Sequence, residues 1–243
     1  MEDGSVMIKI LYEDNHLLGV EKPVNMPVNE DSSKDPDLLS EAKEYIRVKY
    51  QKPGNVYLGL VHRLDRPVGG AMIFARTSKA ASRLSDAIRT NKVHKTYLAV
   101  LDGVPKKTED TLVDYLVKDH RTNMVTVTDE AHGKRSVLRY ETIASKAGRT
   151  LVKVHLETGR SHQIRVQFSS RKLPLVHDQR YNPHPGNGQI ALWAYQLEFP
   201  HPVSKETVTL TSLPPMEDVW ALFEEYYDRK EKEEEKEKKK VSA

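Results

Sequence analysis

The chain has 243 residues, of which 38% are hydrophobic and 30% are charged, and its formal net charge is +3. It contains no cysteine, which excludes disulfides and thiolate metal sites and fits a reducing compartment. It also has no run of 18 apolar residues, and its acidic start lacks the basic and apolar regions of a signal peptide. We therefore expect a cytoplasmic protein that makes no membrane contact.

The predicted elements begin with two short strands, from Val6 to Tyr12 and from Leu17 to Glu21. A long loop follows, and then a helix from Leu38 to about Tyr50 that Asp37 caps. Pro53 and Gly54 end this helix. Two further strands are predicted, at residues 56–61 and 71–75.

A second helix is predicted from its cap at Ser78 to about Asn91, with Ala81, Leu84 and Ile88 as its apolar stripe. Later short strands are predicted at residues 96–101, 111–117, 123–128, 136–144, 151–156, 189–199 and 207–210. A helix over residues 162–170 is begun by Ser161. An amphipathic helix over residues 216–227 turns four apolar side chains inward, namely Val219, Leu222, Phe223 and Tyr226.

Strands outnumber helices and are mostly joined by short turns. This pattern predicts an α+β fold with a mixed, largely antiparallel central sheet flanked by helices and loops. Every residue from Arg229 to Lys240 is charged, so this run cannot bury apolar area to offset the cost of ordering. We therefore predict one domain over residues 1–228 and a disordered or frayed helical tail over residues 229–243.

The most informative stretch begins with His62, Arg63 and Asp65, which lie within four residues of one another. A proline and a pair of glycines follow, and then a short apolar run. Asp65 is therefore expected on a loop that leads into a core strand, where a rigid scaffold can hold a reactive carboxylate. Taken alone, the same pattern also fits an aspartate that caps a turn.

Two other stretches decide between these interpretations: KTYLAV at residues 95–100 and TGRSHQIR at residues 158–165. Together with HRLD at residues 62–65, they resemble the RluA-type family of pseudouridine synthases. Lesser blocks at residues 21–23, 173–181, 192–197 and 199–202 keep the family's order. The resemblance covers about residues 8 to 215.

The resemblance implies a pseudouridine synthase-like catalytic fold that converts uridine in RNA, either rRNA or tRNA, to pseudouridine. Substrate and product contain the same atoms, so no redox cofactor, ATP or metal is expected. The sequence has no GxGxxG, P-loop or Cys/His ligand cluster. We also expect a monomer and no S4-like RNA-binding module ahead of the catalytic region.

Three residues match the family's catalytic positions. Asp65 matches its catalytic aspartate, as a nucleophile or as a base on the sugar. Tyr97 matches its active-site tyrosine, whose ring offers uracil a stacking face and whose hydroxyl could move the C5 proton. Arg165 matches the arginine that pairs with the carboxylate and keeps it ionised.

The predicted RNA-binding residues surround these positions. The target base must leave its stack, and Arg63 is a planar cation able to fill the gap. His62 lies beside it and is expected to hold the loop by hydrogen bonding. Two basic groups flank the catalytic stretches and favour a phosphate-binding track. From these we include Arg160, Arg83 and Arg89.

The sequence departs from the family's pattern at two turns. Val68-Gly69-Gly70 stands where Thr-Ser-Gly is usual, so a hydroxyl contact is expected to be missing. His177-Asp178 stands where Gly-Asp is usual, which makes that turn bulkier.

Two alternatives remain open. One is an RNA-binding protein that keeps the fold without turnover. The other is a cofactor-free glycosidase that uses Asp65 with a second carboxylate, although the three main motifs contain no second carboxylate.

Overall fold

One eleven-stranded sheet organises residues 8–227, which are the residues that the computed structural model describes. The predicted charged tail over residues 229–243 lies outside them. The strands are β1 Lys9–Glu13, β2 Leu17–Lys22, β3 Gly59–Leu60, β4 Gly69–Ala75, β5 His94–Asp102, β6 Glu109–Asp119, β7 Met124–Thr128, β8 Lys134–Lys146, β9 Arg149–Leu156, β10 Leu192–Pro200 and β11 Thr207–Thr211. The helices are α1 Leu38–Lys49, α2 Ser78–Arg89 and α3 Gln163–Ser169, and a 3-10 helix covers Asp218–Phe223.

The strands lie in the order β1-β2-β4-β10-β5-β9-β8-β6-β7, with β11 added to β10 and β3 added to β4. Among the paired strands of residues 8–227, only β4 and β10 run parallel. The predicted α+β class with a mixed, largely antiparallel sheet is therefore confirmed. The parallel pair joins two antiparallel halves of the sheet.

The core is deepest around β4 and β5, where side chains on both faces of the sheet are buried. All seven residues of β4 are buried, and so is the run from Thr96 to Leu101 in β5. Such strands read as continuous apolar runs rather than as alternating patterns.

The first helix and its cap were predicted correctly. Asp37 accepts a hydrogen bond from the Ser40 amide at 3.0 Å, as expected of a capping residue.

The strand expected over residues 56–61 is shorter than predicted, since only Gly59–Leu60 pairs with β4. The cap of α2 is Thr77 instead of Ser78, because Thr77 is extended and its hydroxyl accepts the Ala80 amide. The buried residues of α2 are Ala80, Leu84 and Ala87, whereas Ala81 and Ile88 of the predicted stripe are only partly buried.

Two helix ends also differ from the prediction. Ser161 does not cap α3; the cap position is His162, which has a left-handed backbone (φ 52°) and no capping side-chain bond. The helix expected over residues 216–227 begins as a 3-10 helix over Asp218–Phe223, and only residues 224–227 are α-helical. Because a 3-10 helix has three residues per turn, its buried set changes, and Trp220 joins Val219 and Phe223 inside. Within residues 8–227, no helix is long and apolar enough to cross a membrane.

Candidate active site

The three candidate catalytic residues come from separate parts of the chain and line one recess. Asp65 lies on the loop between β3 and β4, Tyr97 lies on β5, and Arg165 lies in the first turn of α3. Apolar side chains, including Leu192 and Ile164, line the same recess. The structure therefore brings these three residues together as the sequence predicts.

Arg165 contacts two carboxylates. Its Nη1 lies 3.3 Å from Asp65 Oδ2, while its Nε and Nη2 donate to Asp178 at 2.9 and 2.7 Å. Burial alone would lower the pKa of Arg165, but the bonds to Asp178 and the charge of Asp65 raise it above its ordinary value. The guanidinium is therefore a fixed cation whose positive charge faces Asp65.

Asp178 anchors Arg165, a role that the motifs did not predict. Its side chain is fully buried, and it also accepts the amides of Arg180 and Tyr181. The bidentate contact fixes the plane of the Arg165 guanidinium. The only signal in the sequence was its place in one of the lesser family blocks.

Lys22 supports the loop that carries Asp65, and it too was missed as a functional residue. Its side chain is fully buried, and its Nζ donates to the carbonyls of Pro23, Arg66 and Val68 at 2.8 to 2.9 Å. Burial lowers the pKa of Lys22 to about 7, with Asp65 opposing this effect. The available signals were its place in the lesser family block at residues 21–23 and its position at the end of a strand that starts with four apolar residues, LLGVEK.

His62 holds the same loop from its other side. Its Nε2 accepts the Ile73 amide at 3.1 Å, so the ring is bonded to β4. Burial, with a smaller effect of Lys95, lowers the pKa of His62 to about 3, which keeps the ring neutral. The hydrogen-bonding role expected for this residue therefore matches its position.

Tyr97 forms a wall of the recess beside Asp65. Burial raises the pKa of its phenol, and the negative charge of Asp65 raises it further. The hydroxyl therefore stays protonated at neutral pH.

A wider cleft of about 1270 Å³ adjoins the recess and shares Asp65 and Arg165 with it. Its cationic lining residues are Arg63, Arg66, Lys95, Lys118, Arg160, Arg165 and Arg180. Among residues 8–227, the side chains of Arg63 and Lys95 have no hydrogen-bond or ion-pair partner. Burial lowers the pKa of Lys95, so an anion bound beside it would stabilise its charge.

The other predicted RNA contacts are placed differently. Arg160 lines the cleft and its Nε donates to the Arg135 carbonyl at 3.2 Å. Arg83 and Arg89 are not among the residues that line the cleft. Arg83 donates to the Pro202 carbonyl at 2.8 Å, and Arg89 pairs with Asp86 on the surface of α2.

The two unusual turns have structural explanations. A Cβ on Gly69 would lie 2.3 Å from the Trp193 ring, so the tryptophan occupies the space of the usual hydroxyl side chain. His177 adopts the left-handed backbone (φ 59°) that glycine favours, and its Nδ1 lies 2.7 Å from the Pro185 carbonyl oxygen. The bulkier turn is thus held by its own imidazole.

Comparisons with known proteins agree with this geometry. The family model described as RNA pseudouridylate synthase matches residues 16–170. Ribosomal large subunit pseudouridine synthase D of Xanthomonas campestris is 32% identical over 237 residues, covering 89% of this chain and 69% of the relative. An uncharacterized RNA pseudouridine synthase of Zymomonas mobilis is 32% identical over 212 residues, covering 85% and 94%.

A solved structure gives the same picture of the fold. Human RNA Pseudouridylate Synthase Domain Containing 4 superposes with a TM-score of 0.73, covering 85% of this chain and 88% of the human one. At 21% sequence identity, this likeness concerns the fold alone.

Proposed function

Because the chain belongs to the RNA pseudouridylate synthase family, as an RluA-type pseudouridine synthase, we propose that it isomerises specific uridines of structured RNA with Asp65 as its catalytic carboxylate. The observation that carries the proposal is the meeting of Asp65, Tyr97 and Arg165 in one recess beside a basic cleft. We further propose that residues 1–228 form the catalytic domain.

The reaction exchanges one bond for another at the sugar. The bond from C1′ to N1 of uracil breaks, the base turns, and C1′ bonds to C5; the C5 proton leaves and N1 gains one. A carboxylate serves near C1′ either as a nucleophile or as a base on the sugar, and both roles need it ionised. Arg165 Nη1 lies 3.3 Å from Asp65 Oδ2, so a positive charge faces the carboxylate.

Tyr97 is proposed to hold the uracil ring. Since burial raises the pKa of its phenol, a phenolate that would accept the C5 proton is disfavoured at neutral pH. Tyr97 lines the recess, and an aromatic ring there can stack against the base. Burial of the phenol thus favours the stacking role of Tyr97 over its proton-transfer role.

Arg63 is proposed to take the place of the extruded base. Its exposed guanidinium has no partner among residues 8–227, and it lines both the recess and the cleft. A base that leaves an RNA stack costs unstacking free energy, which a planar cation in the gap offsets. The remaining cationic side chains of the cleft then bind flanking phosphates.

The RNA class is proposed from two considerations. An open cleft lined by seven cationic side chains fits a folded polyanion better than a free nucleoside. Relatives of this chain are named for the large ribosomal subunit. Large-subunit rRNA is therefore the first RNA to test, with tRNA second.

The test uses the purified full chain with transcripts of large-subunit rRNA and of tRNAs that carry uridine tritiated at C5. Release of tritium, together with pseudouridine mapped to one or a few positions, is the expected result. Tight RNA binding without release would instead support the alternative of an inactive RNA-binding protein. If the chain neither binds any of these RNAs nor releases tritium from them, the proposal is overturned.

A further inference from the structure

His162 is a buried histidine beside Asp65 that neither the motif analysis nor the reaction as described above uses. It lies three residues before Arg165, and its side chain is only 9% exposed. Its Nδ1 lies 2.6 Å from Tyr181 Oη, and its Nε2 lies 3.8 Å from Asp65 Oδ2. The imidazole therefore stands between a phenol and the candidate catalytic carboxylate.

The hydrogen bonds of Tyr181 decide which ring nitrogen carries the proton. Tyr181 Oη accepts the Val125 amide at 3.0 Å, so its own hydrogen is free to point at His162 Nδ1. A neutral imidazole that accepts at Nδ1 carries its single proton on Nε2. This assignment turns an N–H group toward Asp65.

The surroundings keep this imidazole neutral. Burial lowers the pKa of His162; Asp65 opposes this effect, while Arg165, Arg180 and Lys118 add to it. Tyr181 also buttresses the neighbouring cation, because the Arg165 guanidinium lies 5.1 Å from the centroid of its ring. The phenol thus fixes both groups that face Asp65.

On the basis of these contacts, and resting on the proposed function, we propose that His162 is a positioning residue whose Nε2–H orients Asp65 for the reaction. Arg165 and His162 both face Oδ2 of the carboxylate. The structure gives Oδ1 no such partner among residues 8–227, so Oδ1 is the atom presented to the substrate. Catalytic hydrogen bonds often tighten only once substrate is bound, and a shift below 1 Å closes this one.

The β6–β7 hairpin holds Tyr181 and Arg180 in place. The amide that fixes Tyr181 belongs to β7, and Arg180 Nη1 donates to the Asn123 carbonyl in the hairpin turn at 2.9 Å. Residues 180 and 181 therefore link the hairpin to the imidazole.

Two substitutions separate the functions of the two ring nitrogens. His162→Asn suits the left-handed backbone and keeps an acceptor for Tyr181, but it is too short to reach Asp65. His162→Gln carries an amide N–H far enough to approach Asp65. His132→Asn, at an exposed histidine outside the cleft, is the control.

We expect His162→Asn to lower the single-turnover rate by roughly ten- to hundredfold, the range for one hydrogen bond to a charged group, with RNA affinity changed by less than about threefold. Loss of the donor destabilises the ionised carboxylate, so the acidic limb of the pH–rate profile should move to higher pH. His162→Gln should recover part of the rate, and His132→Asn should match the parent. A folded His162→Asn with the parent's rate and acidic limb would overturn the proposal.

The tautomer gives a readout that needs no turnover. Histidine ¹⁵N spectra of the full chain should show His162 protonated at Nε2 alone, and Tyr181→Phe should yield a mixture of tautomers. A proton on Nδ1 in the parent would overturn the proposal even where the enzyme is active. The expected tautomer in a chain that releases no tritium would instead count against the proposed function alone.

Discussion

Arg165 shares its charge between a fully buried carboxylate and a partly exposed one, and this division sets the chemistry of the site. Asp178 binds the guanidinium through two atoms, whereas Asp65 touches it through one. The first contact holds the cation in place, and the second leaves Asp65 free to react. Removing Asp178 should therefore damage both the fold and the site.

Asp178→Asn should lower the free energy of unfolding by about 3–5 kcal/mol, because it removes the buried counter-charge that binds the buried guanidinium through two atoms. Turnover should also fall, since Arg165 can then turn toward Asp65. Asp86→Asn, which breaks an exposed pair with Arg89, should cost about 0–1 kcal/mol and serves as the control. Denaturant unfolding of both variants checks this, and equal losses would contradict the anchoring role of Asp178.

Lys22 predicts a pH dependence with a definite sign. Burial lowers its pKa from 10.5 to about 7, so between these values the unfolded chain binds more protons than the folded one. Its contribution to stability is therefore present above pH 10.5 and is lost as the pH falls to about 7.

Unfolding free energies of the parent and of Lys22→Met, measured between pH 7 and 10, should diverge by up to about 1.4 kcal/mol per pH unit. The parent gains stability over this range relative to the variant. Parallel curves would show that Lys22 keeps its proton through its three carbonyl contacts.

At the scale of elements, the cations of β5 and α2 face different surfaces. The Lys95 ammonium on β5 lines the cleft without a partner, whereas Arg83 and Arg89 on α2 bond to neighbouring protein groups. The sequence analysis predicted phosphate contacts at Arg83 and Arg89. Helical spacing does not show which face of a helix its neighbours leave open. Lys95 is therefore a better candidate for a phosphate contact than Arg83 or Arg89.

Lys95→Gln should weaken RNA binding and reduce the slope of log affinity against log salt by about 1, as expected for the loss of one phosphate contact. Arg89→Gln is the matched control and should leave both quantities near the parent's. Filter binding over a series of salt concentrations measures both. A larger effect of Arg89→Gln would contradict this prediction and support phosphate binding by α2, as the sequence predicts.

The elements also show how far local sequence signals reach. Most strands and the α1 cap followed from apolar patterns and turn residues, because those signals act over a few neighbours. The left-handed His162 and the C-terminal 3-10 helix did not, since long-range contacts fix them. The three candidate catalytic residues came from the family resemblance. Asp178 and Lys22 became candidates only when the fold brought distant atoms to them.

At the scale of the molecule, the recess lies where the two halves of the sheet meet. β10 joins them by running parallel to β4 and antiparallel to β5. The Asp65 loop leads into β4, and Tyr97 lies on β5 directly opposite Ala194 of β10. Close packing of β4 against β10 therefore sets the distance between Asp65 and Tyr97.

Gly70→Ala should disrupt this junction. Its φ is +120°, and a Cβ would lie 2.3 Å from the Ala194 carbonyl oxygen. We expect a loss of about 2–5 kcal/mol in unfolding free energy, from strain and overpacking together, and a lower turnover. Gly148→Ala, with φ +74° and nothing within 4 Å, should cost about 1–2 kcal/mol and spare turnover. Thermal unfolding and tritium release compare the two, and equal effects would contradict the role of the junction.

The central claim is that Asp65 carries out the chemistry on uridine. Asp65→Asn keeps the size of the side chain and removes its charge, so the fold should stay intact and RNA affinity should remain within about threefold of the parent's. The decisive measurement is single-turnover release of tritium from RNA tritiated at C5 of uridine, with enzyme in excess. We expect release by the parent and none detectable with Asp65→Asn. Release by the variant at a rate near the parent's would contradict the catalytic role of Asp65.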